Sequence, residues 1–287
     1  MEKFLEILKE SLFITFLVFV LMIVVEFFEL KFGDFIEKNI KKKRKVQYIL
    51  SSFFGILPGC SGTFFIDTLY IAGVISFGAV VSVMVSTMGD EAFVYISFLI
   101  NGKVRLDTFI FLMLFLFFVG IFSGYFADFL SKRFSFKLQE KCLIPHHDEF
   151  HGKKFDIKHF LKEHVYGHIF LKHVPKLFLW LLGSLIVVEF FSKNVGFERF
   201  IHTNGILLIL GASLIGVIPI SGPNLLILTM FSRGMVPLSV LIANSIVQDG
   251  HGLLPILSFS VRDSIKIKVI NFLLGVFFGI LFYIFGY

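Results

Sequence analysis

The chain has 287 residues, 56% of them hydrophobic and 17% aromatic, with a mean hydropathy of +0.86. That composition excludes a soluble globular domain and points to a polytopic membrane protein. The net charge of +6 sits in loops and excludes a nucleic-acid footprint; the two cysteines, Cys60 and Cys142, fall in different predicted compartments, so no disulfide is expected.

Taken in order, the first apolar run is Ser11–Leu30, read as a retained span because no small-residue cleavage site follows the short N-terminus. Lys31–Lys45, with its basic run Lys41–Lys45, reads as a cytoplasmic loop. Val46–Gly73 is interrupted by Pro58-Gly59-Cys60-Ser61-Gly62, which a continuous helix does not tolerate well. Its flanks, Gln47–Leu57 and Thr63–Gly73, are about 11 residues each, or half a bilayer at ~1.5 Å per residue. Phe77–Ile100 reads as a crossing helix interrupted at Gly89-Asp90-Glu91, and Thr108–Leu130 as a span. A polar segment, residues 131–175, separates these from Lys176–Phe191, Gly205–Phe231, Val236–Ser258 and Val269–Tyr287. Gly205–Phe231 breaks at Pro219-Ile220-Ser221-Gly222-Pro223, and Val236–Ser258 breaks at Gln248-Asp249-Gly250-His251-Gly252.

The second set repeats the first. Ile23–Phe28 recurs letter for letter at Ile186–Phe191, 163 residues on. Gly55-Ile-Leu-Pro58 answers Gly216-Val-Ile-Pro219, and Thr68 and Gly73 answer Thr229 and Gly234, all at 161. Asp90, beside Gly89, is matched to Asp249, beside Gly250, at 159. The basic loops at Lys31–Lys45 and Ser131–Lys176 are both cytoplasmic by the positive-inside pattern, yet three apolar segments lie between them. An even number of crossings is required, so Val46–Gly73 is read as a re-entrant hairpin. Each repeat then crosses an odd number of times and the second is inverted, with the chain ending outside. The predicted fold is an all-α polytopic membrane protein of two inverted-topology repeats, each with a re-entrant hairpin and a broken transmembrane helix. The units are residues 1–130, a cytoplasmic histidine-rich connecting loop at 131–175, and residues 176–287.

Ionisable side chains inside a membrane are costly and mark function. Here they gather at the four breaks. Asp90, Glu91, Asp249 and His251 are the candidate metal ligands, supported by Cys60, Ser61, Ser221, Asn224, Asn244 and Gln248. Val46–Gly102 contains no lysine or arginine, and Phe200–Val261 only Arg233, so the three carboxylates are expected to face no fixed cation. Uncompensated buried carboxylates want a cation. A mostly oxygen set with one imidazole suits Mn²⁺ first, then Zn²⁺, Fe²⁺ or Co²⁺. The connecting loop holds seven of the nine histidines. His146, His147 and His151 form a compact cluster, and His164 and His168, four apart, share a face if helical, a common ligand spacing. The alternative is a basic amphipathic segment lying on the anionic leaflet. The chain contains no His-Glu-x-x-His, no Gly-x-Ser-x-Gly and no phosphate-binding glycine loop, so an enzyme is not expected.

Gly55-Ile-Leu-Pro-Gly-Cys60, Thr87-Met-Gly-Asp-Glu-Ala-Phe93 and Asn244-Ser-Ile-Val-Gln-Asp-Gly-His251 together resemble the ten-transmembrane heavy-metal exporter family, whose members are labelled arsenic efflux proteins or manganese transporters. The resemblance spans essentially the whole chain. It implies metal or metalloid efflux. Where related sequences carry an acid or histidine near the second proline-flanked break, this chain has Ile220 and Asn224. The expected function is a secondary-active exporter of a divalent transition metal, Mn²⁺ favoured, proton-coupled and working by alternating access at the paired breaks. An arsenite permease is the alternative within transport, and a membrane metal sensor or scaffold using the histidine loop is the alternative of another class. No tightly bound cofactor is expected beyond the transported ion. The expected partners are the metal ion, protons and the lipid bilayer, with a homodimer among the assemblies allowed. The expected location is the inner membrane, with the central loop cytoplasmic.

Overall fold

A computed structural model describes residues 2–40, 44–134, 165–166, 170–171, 174–192 and 204–286. Among them the chain forms twelve α-helices and no strand. In the first half these are α1 (Glu2–Ile40), α2 (Arg44–Ile56), α3 (Ser61–Ile71), α4 (Phe77–Ser86), α5 (Glu91–Ile100) and α6 (Leu106–Arg133). In the second they are α7 (Val174–Ser192), α8 (Gly205–Val217), α9 (Ser221–Ser232), α10 (Leu238–Val247), α11 (Leu254–Phe259) and α12 (Val261–Ile284).

The helix ends fall where local chemistry dictates. α2 stops just before Pro58 and α8 just before Pro219, residues that remove a backbone donor and crowd the preceding turn. α4 is capped by Ser76, whose side chain accepts from Ala79 N at 3.2 Å, and α12 by Ser260, which accepts from Asp263 N at 3.2 Å. Two boundaries differ from the sequence reading. The segment read as a loop from Lys31 continues α1 to Ile40, because its Glu and Lys residues are good helix formers and a single Gly33 does not stop it. α12 starts at Val261 rather than Val269, so its charged first turns belong to the helix.

The halves share one plan. α4 packs on α2 and α6 as α10 packs on α8 and α12. Across the middle, α5 meets α9 as α11 meets α3, and α4 meets α10. The outermost helices break the pattern: α1 packs on α5, whereas α7 packs on α9. α4 and α10 form the centre. All ten residues of α4 are buried, as befits a helix enclosed by others. Small residues let the neighbours approach. A Cβ on Gly120 would lie 2.9 Å from Ser82 O, and one on Gly275 would lie 2.7 Å from Ala243 O, the position equivalent to Ser82. Buried carboxylates fasten the outer layer, with Tyr48 Oη and Gly78 N both donating to Asp128 at 2.7 Å.

Three described segments are long and apolar enough to cross a membrane: Phe77–Ile100, Leu106–Arg133 and Val261–Ile284. The first is 83% buried within the protein, the other two 33%, which sorts them into core and lipid-facing elements. On the exposed side of α6 stand Phe118, Phe122 and Phe129, and on α12 Leu273 and Phe277. The protein is therefore a multi-pass membrane protein.

Candidate metal centre

Four backbone breaks meet at the centre. α4 ends in Thr87 (φ −70°, ψ 129°) and α10 in Gln248 (φ −72°, ψ 138°). Gly89 (φ +50°) and Gly250 (φ +54°) follow, each taking the left-handed turn that glycine allows. This match sets the register of the two halves at 161 from the first break of each half through the second. It corrects the pairing of Asp90 with Asp249 read from the sequence. The counterpart of Asp90 is His251, and that of Asp249 is Met88.

With that register the centre is a pair of pairs. In the first half the Cys60 thiol donates to Asp90 Oδ1 at 3.8 Å. In the second, Ser221 Oγ, the equivalent of Cys60, lies 3.2 Å from His251 Nδ1. The pairs meet through His251 Nδ1 and Asp90 Oδ2 at 3.7 Å. One ligand atom each from Cys60, Asp90 and His251 fit within 4.8 Å of one another. Bond lengths of ~2.0–2.3 Å around a tetrahedral ion separate its ligands by roughly 3.3–3.8 Å, so the cluster suits a transition-metal ion after small side-chain adjustment. Cys60 and Asp90 are buried and His251 is partly accessible. The N-terminal ends of α3, α5 and α9 begin at Ser61, Glu91 and Ser221, beside these ligands.

The other candidates fall around this cluster. Ser61 opens α3 next to Cys60. Glu91 is buried at the start of α5 and lines a cavity with Met88, Tyr95, Leu228 and Gln248. Asn244 donates to Ala212 O at 2.9 Å and to Asn224 Oδ1 at 3.0 Å, and Asn224 donates to Ile220 O at 3.1 Å, so the two asparagines tie the second half's breaks together. Gln248 donates to the backbone oxygen of Thr87, its counterpart in the other half, at 2.8 Å. His146, His147, His151, His164 and His168 lie outside the described residues.

Asp249 goes elsewhere. Its Oδ2 lies 2.5 Å from Lys268 Nζ, and its Oδ1 accepts from Asn271 at 3.0 Å. Lys268 also donates to Gly216 O at 2.9 Å and Val247 O at 3.0 Å. The expectation that all three carboxylates face no fixed cation is thus overturned for Asp249. Lys268 lies in the charged turns taken as a flank of the last span, and α12 carries it back into the core. A signal was available: Ser264, Lys268, Asn271 and Gly275 recur at helical spacing and are all buried.

Searches against curated proteins and against solved structures find no match. A family model with the description "Putative, 10TM heavy-metal exporter" matches residues 3–188 and 172–285. Between them the matches cover nearly the whole chain, and the protein belongs to that family.

Proposed function

We propose that this protein is a secondary-active exporter that binds a divalent transition-metal ion at Asp90, His251 and Cys60 and moves it by alternating access, driven by a proton gradient. The observation that carries this is the meeting of a carboxylate, an imidazole and a thiol from breaks in both halves within 4.8 Å. The family description supplies the substrate class.

The inverted-repeat reading is supported by the shared register and by packing partners that exchange between halves. Counting α4–α5 and α10–α11 as one broken segment each, the described helices make ten segments. α2–α3 and α8–α9 act as the re-entrant hairpins. Each arm has 11 to 13 residues, which at ~1.5 Å per residue reaches about half of a bilayer core of roughly 30 Å. The basic segments favour a cytoplasmic side for the central loop, in keeping with an inner-membrane location. There the loop histidines would collect metal for the centre.

With Asp249 held by Lys268, the ligand set is softer than the sequence suggested. One thiol, one carboxylate and one imidazole suit Zn²⁺, Fe²⁺ and Co²⁺ at least as well as Mn²⁺. Arsenite would want further thiols, and Cys60 is the free cysteine among the described residues.

The test is metal flux into proteoliposomes under an imposed pH gradient, with Mn²⁺, Zn²⁺ and arsenite in parallel. Divalent flux is expected in the wild type and should fall about tenfold or more in Asp90→Asn and in His251→Gln. Cys60→Ser should slow Zn²⁺ more than Mn²⁺. Arsenite flux without divalent flux, or divalent flux indifferent to both substitutions, defeats the proposal.

A further inference from the structure

A second polar cluster lies beside the metal centre but outside it. On α3, Thr63, Asp67 and Tyr70 fall at i, i+4 and i+7 and share one face. Both ends of this stripe touch the second half. A Cβ on Gly252 would lie 2.6 Å from Thr63 Cγ2, and Tyr70 donates to Asp263 at 3.0 Å. Asp67 sits between them, fully buried, and neither of its carboxylate oxygens has a hydrogen-bond partner among the described residues. The same Cβ on Gly252 would lie 2.8 Å from the backbone oxygen of Asp249, so the Thr63 end of the stripe adjoins the carboxylate paired with Lys268 and Asn271. Asn271 Oδ1 is likewise buried without a partner. Further along, Lys266 holds Asp263 at 3.2 Å.

The duplication shows which of these groups the scaffold needs. In the α3–α4 register, Asp67 corresponds to Leu228 and Asp249 to Met88. α6 and α12 are related by 155 residues. A Cβ on Gly120 would meet Ser82 and Ser86, and one on Gly275 would meet Ala243 and Val247, their counterparts; Gly124 and Gly279 match in the same way. By that register Lys268 corresponds to Met113 and Asn271 to Leu116. Four polar residues without a polar counterpart thus lie on adjoining elements: Asp67 on α3, which packs on α11, Asp249 just before α11, and Lys268 and Asn271 on α12 beside Asp249. In each case the equivalent position of the other half does without the polar group, so the fold does not require it. A buried carboxylate with no partner is expensive to retain. With Asp249 paired to Lys268, an ionised Asp67 would leave one net negative charge, which one monovalent cation balances.

We infer that Asp67, with the Asp249–Lys268 pair and Asn271 on the adjoining elements, is a second cation site, which takes up one H⁺ or Na⁺ and exchanges it for the metal bound at Asp90 and His251. This rests on the transporter reading above. Asp67 carries the arriving charge, and the Asp249–Lys268 pair stays intact beside it. α3 joins the two sites, since Cys60 caps the helix at one end of the segment that carries Asp67.

The experiment uses the full chain. In proteoliposomes it reads H⁺ and radiolabelled Na⁺ movement set off by a metal gradient, and in detergent it reads metal binding at equilibrium. Asp67→Asn should cut counter-ion movement by about tenfold or more and change metal affinity by less than about threefold. The H⁺ and Na⁺ arms identify the ion. Full counter-ion movement in Asp67→Asn overturns the inference, as does metal binding lost in step with it. Should the wild type bind no metal, the metal reading fails, and H⁺ and Na⁺ uptake measured without metal decides this site alone. Uptake that needs Asp67 upholds it; uptake that does not, or no uptake at all, overturns it. If Asp67→Asn does not assemble, Asn271→Leu, copying Leu116, should raise the half-saturating cation concentration several-fold, and an unchanged value counts against the site.

Discussion

After Ser86 the first half presents Met88, Gly89 and Asp90 to the centre of the protein; after Val247 the second presents Asp249, Gly250 and His251. The backbone is the same in both, down to the left-handed glycine. The side chains are not. Asp90 faces a thiol and His251 a hydroxyl, which makes the centre a mixed sulfur, oxygen and nitrogen cluster where a symmetric one would have held two copies of each of two ligands. Beside it, the second half keeps a charged pair, Asp249 with Lys268, where the first keeps Met88 and, at the position equivalent to Lys268, Met113. A duplicated scaffold thus separates what backbone geometry fixes from what side-chain chemistry adds.

The harshest way to break the comparison is to remove half of the charged pair. Lys268→Met leaves Asp249 buried and uncompensated and should cost about 3–5 kcal/mol. Adding Asp249→Met copies the first half at both positions and should recover most of that loss. Thermal unfolding in detergent measures both, and a double variant no more stable than the single one would deny that the two sides share a scaffold.

A smaller effect separates the two glycines. A Cβ on Gly250 would sit 2.8 Å from Ser221 Oγ, whereas one on Gly89 would meet nothing closer than Cys60 Sγ at 3.9 Å. Gly250→Ala should therefore cost about 2–3 kcal/mol, combining backbone strain and crowding, against about 1 kcal/mol for Gly89→Ala. The same unfolding measurement checks the order. Equal losses would mean that only the backbone turn matters.

The mildest change makes the halves more alike. Ser221→Cys gives the second half the thiol of the first. It should raise Zn²⁺ affinity relative to Mn²⁺ several-fold, because a second sulfur ligand favours the softer ion. Competition binding at equilibrium reads the ratio, and an unchanged ratio would place position 221 outside the ligand shell.

How much of this was legible beforehand depended on the range of the interaction. The breaks at Pro58 and Pro219 could be read directly, since proline and glycine act on their own backbone. Asp90, Glu91, Asp249 and His251 could be picked out because charge in an apolar segment is conspicuous. Their grouping could not. The register through Gly89 and Gly250 differs by two residues from the one suggested by matching aspartates, and a two-residue shift decides whether Asp90 is answered by an acid or an imidazole. Lys268 was hidden by a span drawn too short. A charged residue near a helix end reads as a flank until the helix cap at Ser260 shows that the helix has already begun.

The sequence by itself determined a duplicated, helical, membrane-embedded chain with its most conspicuous polar chemistry at four interruptions, because hydropathy, proline, glycine and charge are local properties. Only the tertiary structure decided that Asp90 meets His251 and Cys60, and that Asp249 is spent on Lys268. Those pairings join residues from different breaks and helices, and distances across the core follow from how the two halves pack.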